Sequence, residues 1–320
     1  PTAIEWIVAV TAMTAGSLLL MWLGELITEQ GIGNGISLLI FAGIISQLPS
    51  ILSTFATSLF DTTNGSLQVF NWFALPINPT LFWVILAILA FSLFLLYFLV
   101  KINEAQRVIT INYAKRVQGN SSYGGVKSIL PIKLIAAGVI PVIFAVAFLS
   151  LPAFIGQILK ATGNPAYAEL ANNLILWFQA PNPGAFTGSE WQAFIYPLSY
   201  FVLVIFFTYF YTGIVFNASE IAENLQKQGG FIECVRPGKQ TEKYLSTTVN
   251  RLILFGSVVL GLIAITPFIA EYLLYQIAGI TNTNLAIGGT GLLIVGSVGL
   301  ETLRQINSRA LMVTYDDYDR

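Results

Sequence analysis

The sequence predicts an all-α polytopic membrane protein with seven transmembrane helices and one small cytoplasmic β-hairpin. Hydrophobic residues make up 55% of the 320 residues and charged residues only 10%, whereas soluble domains carry about 25% charged residues. A transmembrane helix needs about 20 predominantly apolar residues, and seven segments are long and apolar enough, with no charge near their centres. They are, in order, Ile4–Ile27, Ile36–Thr54, Pro79–Val100, Leu134–Leu159, Trp191–Phe216, Leu252–Ile269 and Leu285–Leu300.

The residue composition excludes several kinds of site. The chain has no histidine, and Cys234 is its one cysteine. A disulfide framework, a Cys/His metal site and a histidine-based catalytic triad are therefore excluded. We predict no catalytic residue, no metal, no cofactor and no enzymatic activity.

The distribution of lysine and arginine predicts the orientation in the membrane. Six of these residues lie between Lys101 and Lys133, five between Lys227 and Arg251 and three between Arg304 and Arg320, whereas Lys160 stands alone on the opposite side. Positive loops stay in the cytoplasm. The chain therefore starts outside and ends inside. A first residue other than Met and an odd number of spans indicate that upstream helices are missing.

The first cytoplasmic loop, residues 104–134, has a strand pattern. Apolar and polar residues alternate from Arg107 to Tyr113, which is the period of a half-buried strand. A second short run from Val126 to Ile132 can pair with it across the glycines at 119–125. We predict a basic β-hairpin that projects from the membrane.

The second cytoplasmic loop, residues 217–251, is the most polar part of the chain. Asn217 begins a helix-capping pattern, and Ile221 and Leu225 lie on one face of the short helix that follows. The Arg-Pro-Gly sequence at 236–238 predicts a type II turn with Arg236 at its tip. Two interpretations remain open: a solvated connection between helices, or a structured prong that another macromolecule grips.

Four further segments carry local signals. Alternating glycines between 31 and 35 predict a tight hairpin between the first two spans, and residues 167–178 predict a surface helix in the outer loop. Residues 55–78, rich in Ser, Thr, Asn and Gly, are interpreted as an external linker. Gly138 and Pro141 predict a kink near the start of the fourth span.

Five ordered stretches identify a resemblance to a known family. They are MWLGELITEQGIGNGISLLIFAGI at 21–44, INYAKR at 111–116, LIAAGVIPVIF at 134–144, YTGIVFNASEIAENLQKQGGFI with RPGKQT at 211–241, and GGTGLLIV with LETLRQI at 288–306. In order and spacing they resemble SecY, the channel-forming subunit of the bacterial protein translocase. The resemblance implies that the seven spans are the fourth to tenth of ten helices.

The resemblance also implies a domain division. Residues 1–54 would be the last two helices of the N-terminal half, followed by the linker at 55–78. Residues 79–306 would be the C-terminal half, with five spans and the two cytoplasmic loops, and residues 307–320 a cytoplasmic tail.

The function implied by the resemblance is a protein-conducting channel for secretory polypeptides and transmembrane segments. Its pore would be narrowed by a ring of aliphatic side chains, which here fall on Ile40, Ile44, Ile143 and Ile294. Ile40 and Ile44 are four residues apart and share one helix face. The fourth and fifth spans would form one side of a lateral gate with its hinge at Gly138 and Pro141.

The cytoplasmic loops would, by the same resemblance, be the docking site for the ribosome or for a SecA-type motor ATPase. The implied docking residues, which would touch ribosomal RNA in the case of the ribosome, are Arg107, Lys115, Arg116, Arg236 and Lys239. The other implied partners are SecE-like and SecG-like small membrane subunits, signal sequences, nascent polypeptides and the lipid bilayer. The implied location is the bacterial plasma (inner) membrane, with a thylakoid membrane left open.

Three alternative functions compete with a channel. A secondary transporter also has helices interrupted by Pro and Gly, but ion-coupled transporters usually carry ionisable groups at the membrane midplane, and the seven spans have none there. An intramembrane enzyme is disfavoured by the absence of histidine. A membrane assembly factor would bind partners without conducting a polypeptide.

Overall fold

The computed structural model describes most of the chain and is predominantly helical. The described residues are 3–31, 33–60, 67–69, 73–75, 79–113, 116–118, 121–123, 127–135, 138–161, 165–179, 191–278 and 289–318. They divide into two compact units, residues 1–96 with 284–320 and residues 97–283. The predicted division into halves around residues 55–78 stays a prediction.

Among the described residues, six segments are long and apolar enough to cross a membrane, judged by length and composition. They are Ile4–Glu29, Gly35–Thr54, Phe82–Glu104, Ile140–Ala161, Ile195–Lys227 and Lys239–Ala270, and they correspond to the first six predicted spans. Their large apolar side chains remain exposed, as Met13 does at 77%, which suits a lipid environment. The seventh predicted span begins outside the described residues, and the described helix that contains its remainder is not among these six.

The described part of the first unit consists of helices and one hairpin. Helix α2 packs against both α1 and α10. The elements are α1 (Ala3–Glu29), α2 (Gly35–Ile45), α3 (Leu48–Leu59), the hairpin of β1 (Leu67–Val69) and β2 (Phe73–Leu75), the first part of α4 (Pro79–Glu104) and α10 (Gly289–Tyr318).

The second predicted span is divided, which corrects the single helix expected over 36–54. Helix α2 ends at Ile45 and α3 begins at Leu48, with Pro49 in its first turn. Proline lacks an N–H and its ring clashes with the carbonyl four residues before it, so it is accepted at a helix start but interrupts a continuous helix. Helix α3 then continues to Leu59. Residues 55–78, expected to be a linker, therefore include helix and strand.

The second unit is a row of packed helices. Helix α5 (Ile140–Ala161) packs against α6 (Pro165–Phe178) and α7 (Ile195–Val215), and α7 packs in turn against α9 (Lys239–Ala278). A 3-10 turn at Trp191–Phe194 precedes α7, and α8 (Ala218–Lys227) lies on α9. The predicted surface helix is confirmed as α6.

Three described strands of this unit form an antiparallel sheet in the order β6-β3-β7. They are β3 (Gln106–Tyr113), β6 (Lys127–Lys133) and β7 (Gly230–Ile232), and a separate pair joins β4 (Arg116–Gln118) to β5 (Ser121–Tyr123). The pairing of β3 with β6 confirms the predicted hairpin. The third strand comes from the second predicted cytoplasmic loop and was itself not predicted.

Candidate functional site

The two predicted cytoplasmic loops form one packed body, which we call the loop module: β3, β6, β7, α8 and the N-terminal part of α9. Strands β3 and β6 come from the first loop, and the other elements come from the second. Their side chains share one hydrophobic core, in which Leu245 is 0% exposed. The core consists of Ile109, Ile132, Ala222, Ile232, Leu245, Val249 and Ile253.

Strand β7 joins the second loop to the first. It pairs with β3 through Ile111 opposite Ile232 and Tyr113 opposite Gly230. The chain can reach β3 because α8 stops at Lys227 and Gly229, with φ at 72°, reverses its direction. The prediction of a short helix is therefore confirmed, and Asn217 caps its start by accepting a hydrogen bond from Glu220 N at 3.3 Å.

The tip of the second loop is a turn held to the start of α9. Gly238 has a φ of 98°, which the third residue of a type II turn requires. The Thr241 hydroxyl donates to Arg236 O at 2.9 Å, and Glu242 N donates to Gly238 O at 3.1 Å. The second loop is thus structured up to its tip, and its binding by another macromolecule stays a prediction.

Helix α9 begins earlier than the sequence predicted, and the sequence shows why. The sixth span was expected to begin at Leu252, but α9 begins at Lys239. Leu245, Val249 and Ile253 recur every four residues, which places them on one helix face, and that face is buried against the sheet. The polar residues between them kept residues 239–251 from being recognised as helix.

Three of the five predicted docking residues lie on the loop module with exposed side chains. They are Arg107 on β3, Arg236 at the turn and Lys239 at the first position of α9. Lys115 lies outside the described residues, and Arg116 lies on β4 with a side chain that is also outside them. Exposed lysines and arginines of the module that the prediction did not single out are Lys127, Lys133, Lys227, Lys243 and Arg251. Together they make this surface rich in cations.

A surface ion pair lies on α8, between Lys227 Nζ and Glu223 Oε1 at 2.7 Å. Both side chains are more than half exposed, so water screens their attraction and the pair contributes little to stability. The module is held together by its buried core rather than by surface charges.

The predicted hinge residues lie at the start of a helix. Gly138 has a φ of 61°, α5 begins at Ile140, and Pro141 occupies its first turn, where proline is favoured. A kink at Pro141 inside a helix over 134–159 was expected, but the helix begins only at Ile140. Pro141 therefore does not interrupt it, and this prediction is wrong. The proline inside α5 is Pro152.

The segment before α5 is attached at two points. Leu134 N donates to Ala105 O at 2.9 Å. The carbonyl of Leu134 also lies against α9, where a Cβ added to Gly256 would come within 2.5 Å of it. Leu134 is thus held both at Ala105 and against α9. The hinge role itself stays a prediction.

Three of the four predicted pore-ring residues lie in the first unit. Ile40 and Ile44 are on α2, and Ile294 is on α10. The two helices touch at Gly291, where an added Cβ would lie 3.3 Å from Ile44 Cγ2. Ile294 is 8% exposed, whereas Ile40 and Ile44 are partly buried.

The fourth ring residue, Ile143, lies on α5 of the second unit and is partly buried. It belongs to the first turns of that helix, close to Gly138 and Pro141. A ring that combines all four residues stays a prediction.

Helix α2 lies very close to α1, at the place where the alternating glycines predict a tight hairpin. Thr28 Oγ1 donates to Gly24 O at 2.8 Å and accepts from Gly35 N at 2.9 Å. A Cβ on Gly35 would overlap Gly24 O. Asn34 Oδ1 then caps α2 by accepting from Ser37 N at 3.2 Å. The predicted hairpin is confirmed. Thr28, which joins the two helices through its hydroxyl, was not predicted.

Comparisons with known proteins agree on one family. The family model SecY matches residues 2–303. The protein translocase subunit SecY of Thermotoga maritima is 38% identical over 312 residues, covering 98% of this chain and 61% of that protein. The protein of the same name from Corynebacterium glutamicum is 40% identical over 313 residues, covering 98% of this chain and 64% of that protein. The chain thus spans less than two thirds of the length of these relatives.

Two solved structures share the fold. One, described as the structure of a protein conducting channel, aligns with a TM-score of 0.56 at 21% identity, covering 91% of this chain and 63% of that chain. The other concerns the plug domain of the SecY protein and the closed state of the translocation channel, and it aligns with a TM-score of 0.57 at 21% identity, covering 91% and 64%. At this identity the likeness shows the fold, and it confirms the predicted fold class.

Proposed function

We propose a function from the premise that this chain belongs to the SecY family: it is part of a protein-conducting channel subunit. In this proposal the subunit passes unfolded secretory polypeptides across a membrane and releases transmembrane segments into it. The premise rests on the family match over residues 2–303 and on relatives 38% and 40% identical. Because the chain spans 61% and 64% of those relatives, the proposal concerns the complete protein.

The packing of α2 against α10 is the observation that supports the pore most directly. It brings Ile44 against the helix that carries Ile294, so that three of the four ring residues lie on two touching helices. Branched apolar side chains suit the task because they can close around chains of varied sequence and impede ions by dewetting. Ile143 on α5 would complete the ring from the second unit.

The proposed lateral gate has α5 and α7 on one side. These helices pack directly against each other, with Phe144 and Phe148 of α5 each contacting Phe207 of α7 at ring distances of 5.9 and 5.7 Å. Aromatic packing of this kind allows α5 and α7 to move together. The positive φ of Gly138 supports a hinge just before α5.

The loop module is the proposed docking platform for a ribosome or a SecA-type motor ATPase. Its packed core would hold Arg107, Arg236 and Lys239 in fixed positions, and Lys115 and Arg116 extend the same loop. Arginine and lysine suit both phosphate groups of RNA and acidic protein surfaces. In this proposal the chain hydrolyses nothing, and the docked partner supplies the directed movement.

The proposed location is the bacterial plasma membrane, with the loop module and the C-terminus in the cytoplasm and the first residue of the chain outside. The support is the charge asymmetry of fourteen lysines and arginines against Lys160 alone. SecE-like and SecG-like small membrane subunits are the proposed lateral partners.

Reconstitution tests the function. The complete protein, with its small membrane subunits, is placed in proteoliposomes, and a motor, ATP and a secretory chain with its signal sequence are added. We expect protease-protected secretory chain in the lumen, and none when the signal sequence is deleted. Binding of the motor without any protected chain would contradict the channel proposal and would favour a docking protein.

A further inference from the structure

A cavity of about 600 Å³ lies between the beginning of α7 and the end of α9. It belongs wholly to the second unit and contains none of the ring, hinge or docking residues. Its lining is almost entirely apolar. The lining residues are Trp191, Phe194, Ile195, Pro197, Leu198, Ile265, Phe268, Ile269 and Tyr272.

The walls of this cavity are held by aromatic packing. Phe268 contacts the rings of Tyr196 and Tyr200 at 5.5 and 5.9 Å, edge to face in both cases, and both tyrosines are buried. Phe194 contacts Tyr272 in the same geometry at 5.7 Å. Such packing fixes the rings of α7 and α9 relative to one another, so the cavity is preformed.

The cavity lies at the level where a span meets the membrane surface. Both helices are long and apolar enough to cross a membrane. Trp191, 69% exposed, stands just before the first residue of α7. Tyr272 follows Glu271, the first charged residue after Arg251 along the chain. Trp and Tyr concentrate at this level of a bilayer because one part of each ring is apolar and the other polar.

The chemistry of the cavity selects its occupant. The cavity is an open groove, because Trp191, Leu198 and Ile269 of its lining are each more than half exposed. An extended peptide would bury backbone N–H and C=O groups with almost nothing polar in the lining to satisfy them. A single hydrocarbon chain has no hydrogen-bonding groups, so it can lie in this groove without leaving any of them unsatisfied.

We propose that this cavity binds one acyl chain of a membrane phospholipid, with the headgroup of that lipid at the level of Trp191 and Tyr272. The proposal rests on the membrane location of the chain and not on polypeptide transport. A bound lipid here would fill the space between α7 and α9, and it would stabilise the packing of the two helices.

Photocrosslinking with a labelled lipid tests the site. The complete protein is reconstituted in bilayer nanodiscs that contain a small fraction of phosphatidylcholine with a diazirine on one acyl chain, and adducts are mapped after illumination. We expect adducts on 191–198 and 265–272 to exceed, several-fold, those on the exposed positions of α7 within 202–214, which are Val202, Phe206, Phe210 and Ile214. Equal labelling of the three sets would overturn the proposal, because it would show ordinary exposure to bulk lipid.

Two matched variants distinguish lipid binding in the cavity from nonspecific lipid contact with the helix surface. Leu198→Trp fills the cavity, whereas Val202→Trp adds the same ring one turn further along α7 at an exposed position that does not line it. We expect Leu198→Trp to reduce the adducts on 265–272 to the level of the exposed positions within 202–214, and Val202→Trp to leave them unchanged. Unchanged adducts in both variants would overturn the proposal.

A second crosslink identifies a competing occupant. A photoreactive amino acid at Ile269 is illuminated in the same preparation with its partner subunits present. We expect adducts to lipid. Adducts to a polypeptide instead would overturn the proposal and assign the cavity to a protein interface. Failure of this test would leave the proposed channel function untouched, because translocation into proteoliposomes is measured separately.

Discussion

Leu245→Ala should loosen both loops of the loop module at once, although Leu245 belongs to only one of them. The side chain is 0% exposed and lies in the core that strands of both loops share. Replacing a buried Leu with Ala costs about 3 kcal/mol even when the surrounding structure fills most of the cavity. Since each 1.4 kcal/mol is a factor of ten, local opening of the module should become about a hundredfold more frequent.

Hydrogen-exchange mass spectrometry of the complete protein in nanodiscs measures this opening. The informative peptides cover β3 and β6, which lie more than a hundred residues before the substitution. Their amides should exchange about a hundredfold faster wherever exchange follows local opening. Tyr244→Ala, at the adjacent and partly exposed position of α9, is the matched control and should change β3 little.

Loosening confined to the second loop would contradict a shared core. If Leu245→Ala accelerates exchange in residues 217–251 and leaves residues 106–113 at the rate of the unsubstituted protein, the two loops are independent. The core would then not be the structure that positions Arg107 relative to Arg236 and Lys239.

Three further predictions concern α2, α8 and the docking surface. Gly35→Ala should lower the melting temperature of the complete protein in detergent, because the new Cβ overlaps Gly24 O and costs about 1–3 kcal/mol. Gly43→Ala is the control and should leave the melting temperature unchanged, because nothing lies within 4 Å of its Cβ. Asn217→Ala removes the α8 cap and should cost about 1 kcal/mol, measured as faster amide exchange in 218–227; an unchanged rate would mean that the cap contributes nothing. The double change Arg236→Glu and Lys239→Glu should weaken ribosome binding. The slope of log binding constant against log salt concentration should also fall by about one for each RNA phosphate that the loop module no longer neutralises. Lys160→Glu, on the opposite side, is the control, and equal effects of both changes would contradict specific docking.

Local sequence patterns predicted most of the helices and the first hairpin because each depends on residues close together in the chain. Six apolar stretches of sufficient length became the six candidate spans of the described residues, and period-two alternation predicted β3. The capping signal at Asn217 and the glycine at 238 likewise act on neighbouring backbone groups, and both were confirmed.

Features that depend on distant residues were missed or misplaced. Strand β7 has only three residues, too few for a period, and it exists because the edge of β3 is available for pairing. Pro141 was interpreted as an interruption, whereas it begins a helix, because the choice between the two depends on whether the preceding residues are helical. The start of α9 was missed because its apolar stripe is buried by a sheet built partly from the first loop.

In the candidate sites, too, features that depend on nearby residues were predicted and features that depend on distant residues were not. Exposure of Arg107, Arg236 and Lys239 could be expected from their polar surroundings, but their attachment to one core could not. The packing of α2 against α10 at Ile44 joins residues nearly 250 positions apart in the sequence. No spacing rule relates such positions, so the ring was predicted from a family resemblance and not from the residues themselves.

A site-specific photocrosslink at Ile143 is the sharpest test of the proposed channel. The complete protein carries a photoreactive residue there, a secretory chain is stalled partway through translocation, and the sample is illuminated; Leu203, partly buried on α7, is the control position. We expect an adduct between Ile143 and the stalled chain that disappears when the signal sequence is deleted. If no adduct forms at Ile143, Ile40 or Ile294 in a preparation that still binds the stalled complex, this chain does not line a protein-conducting pore.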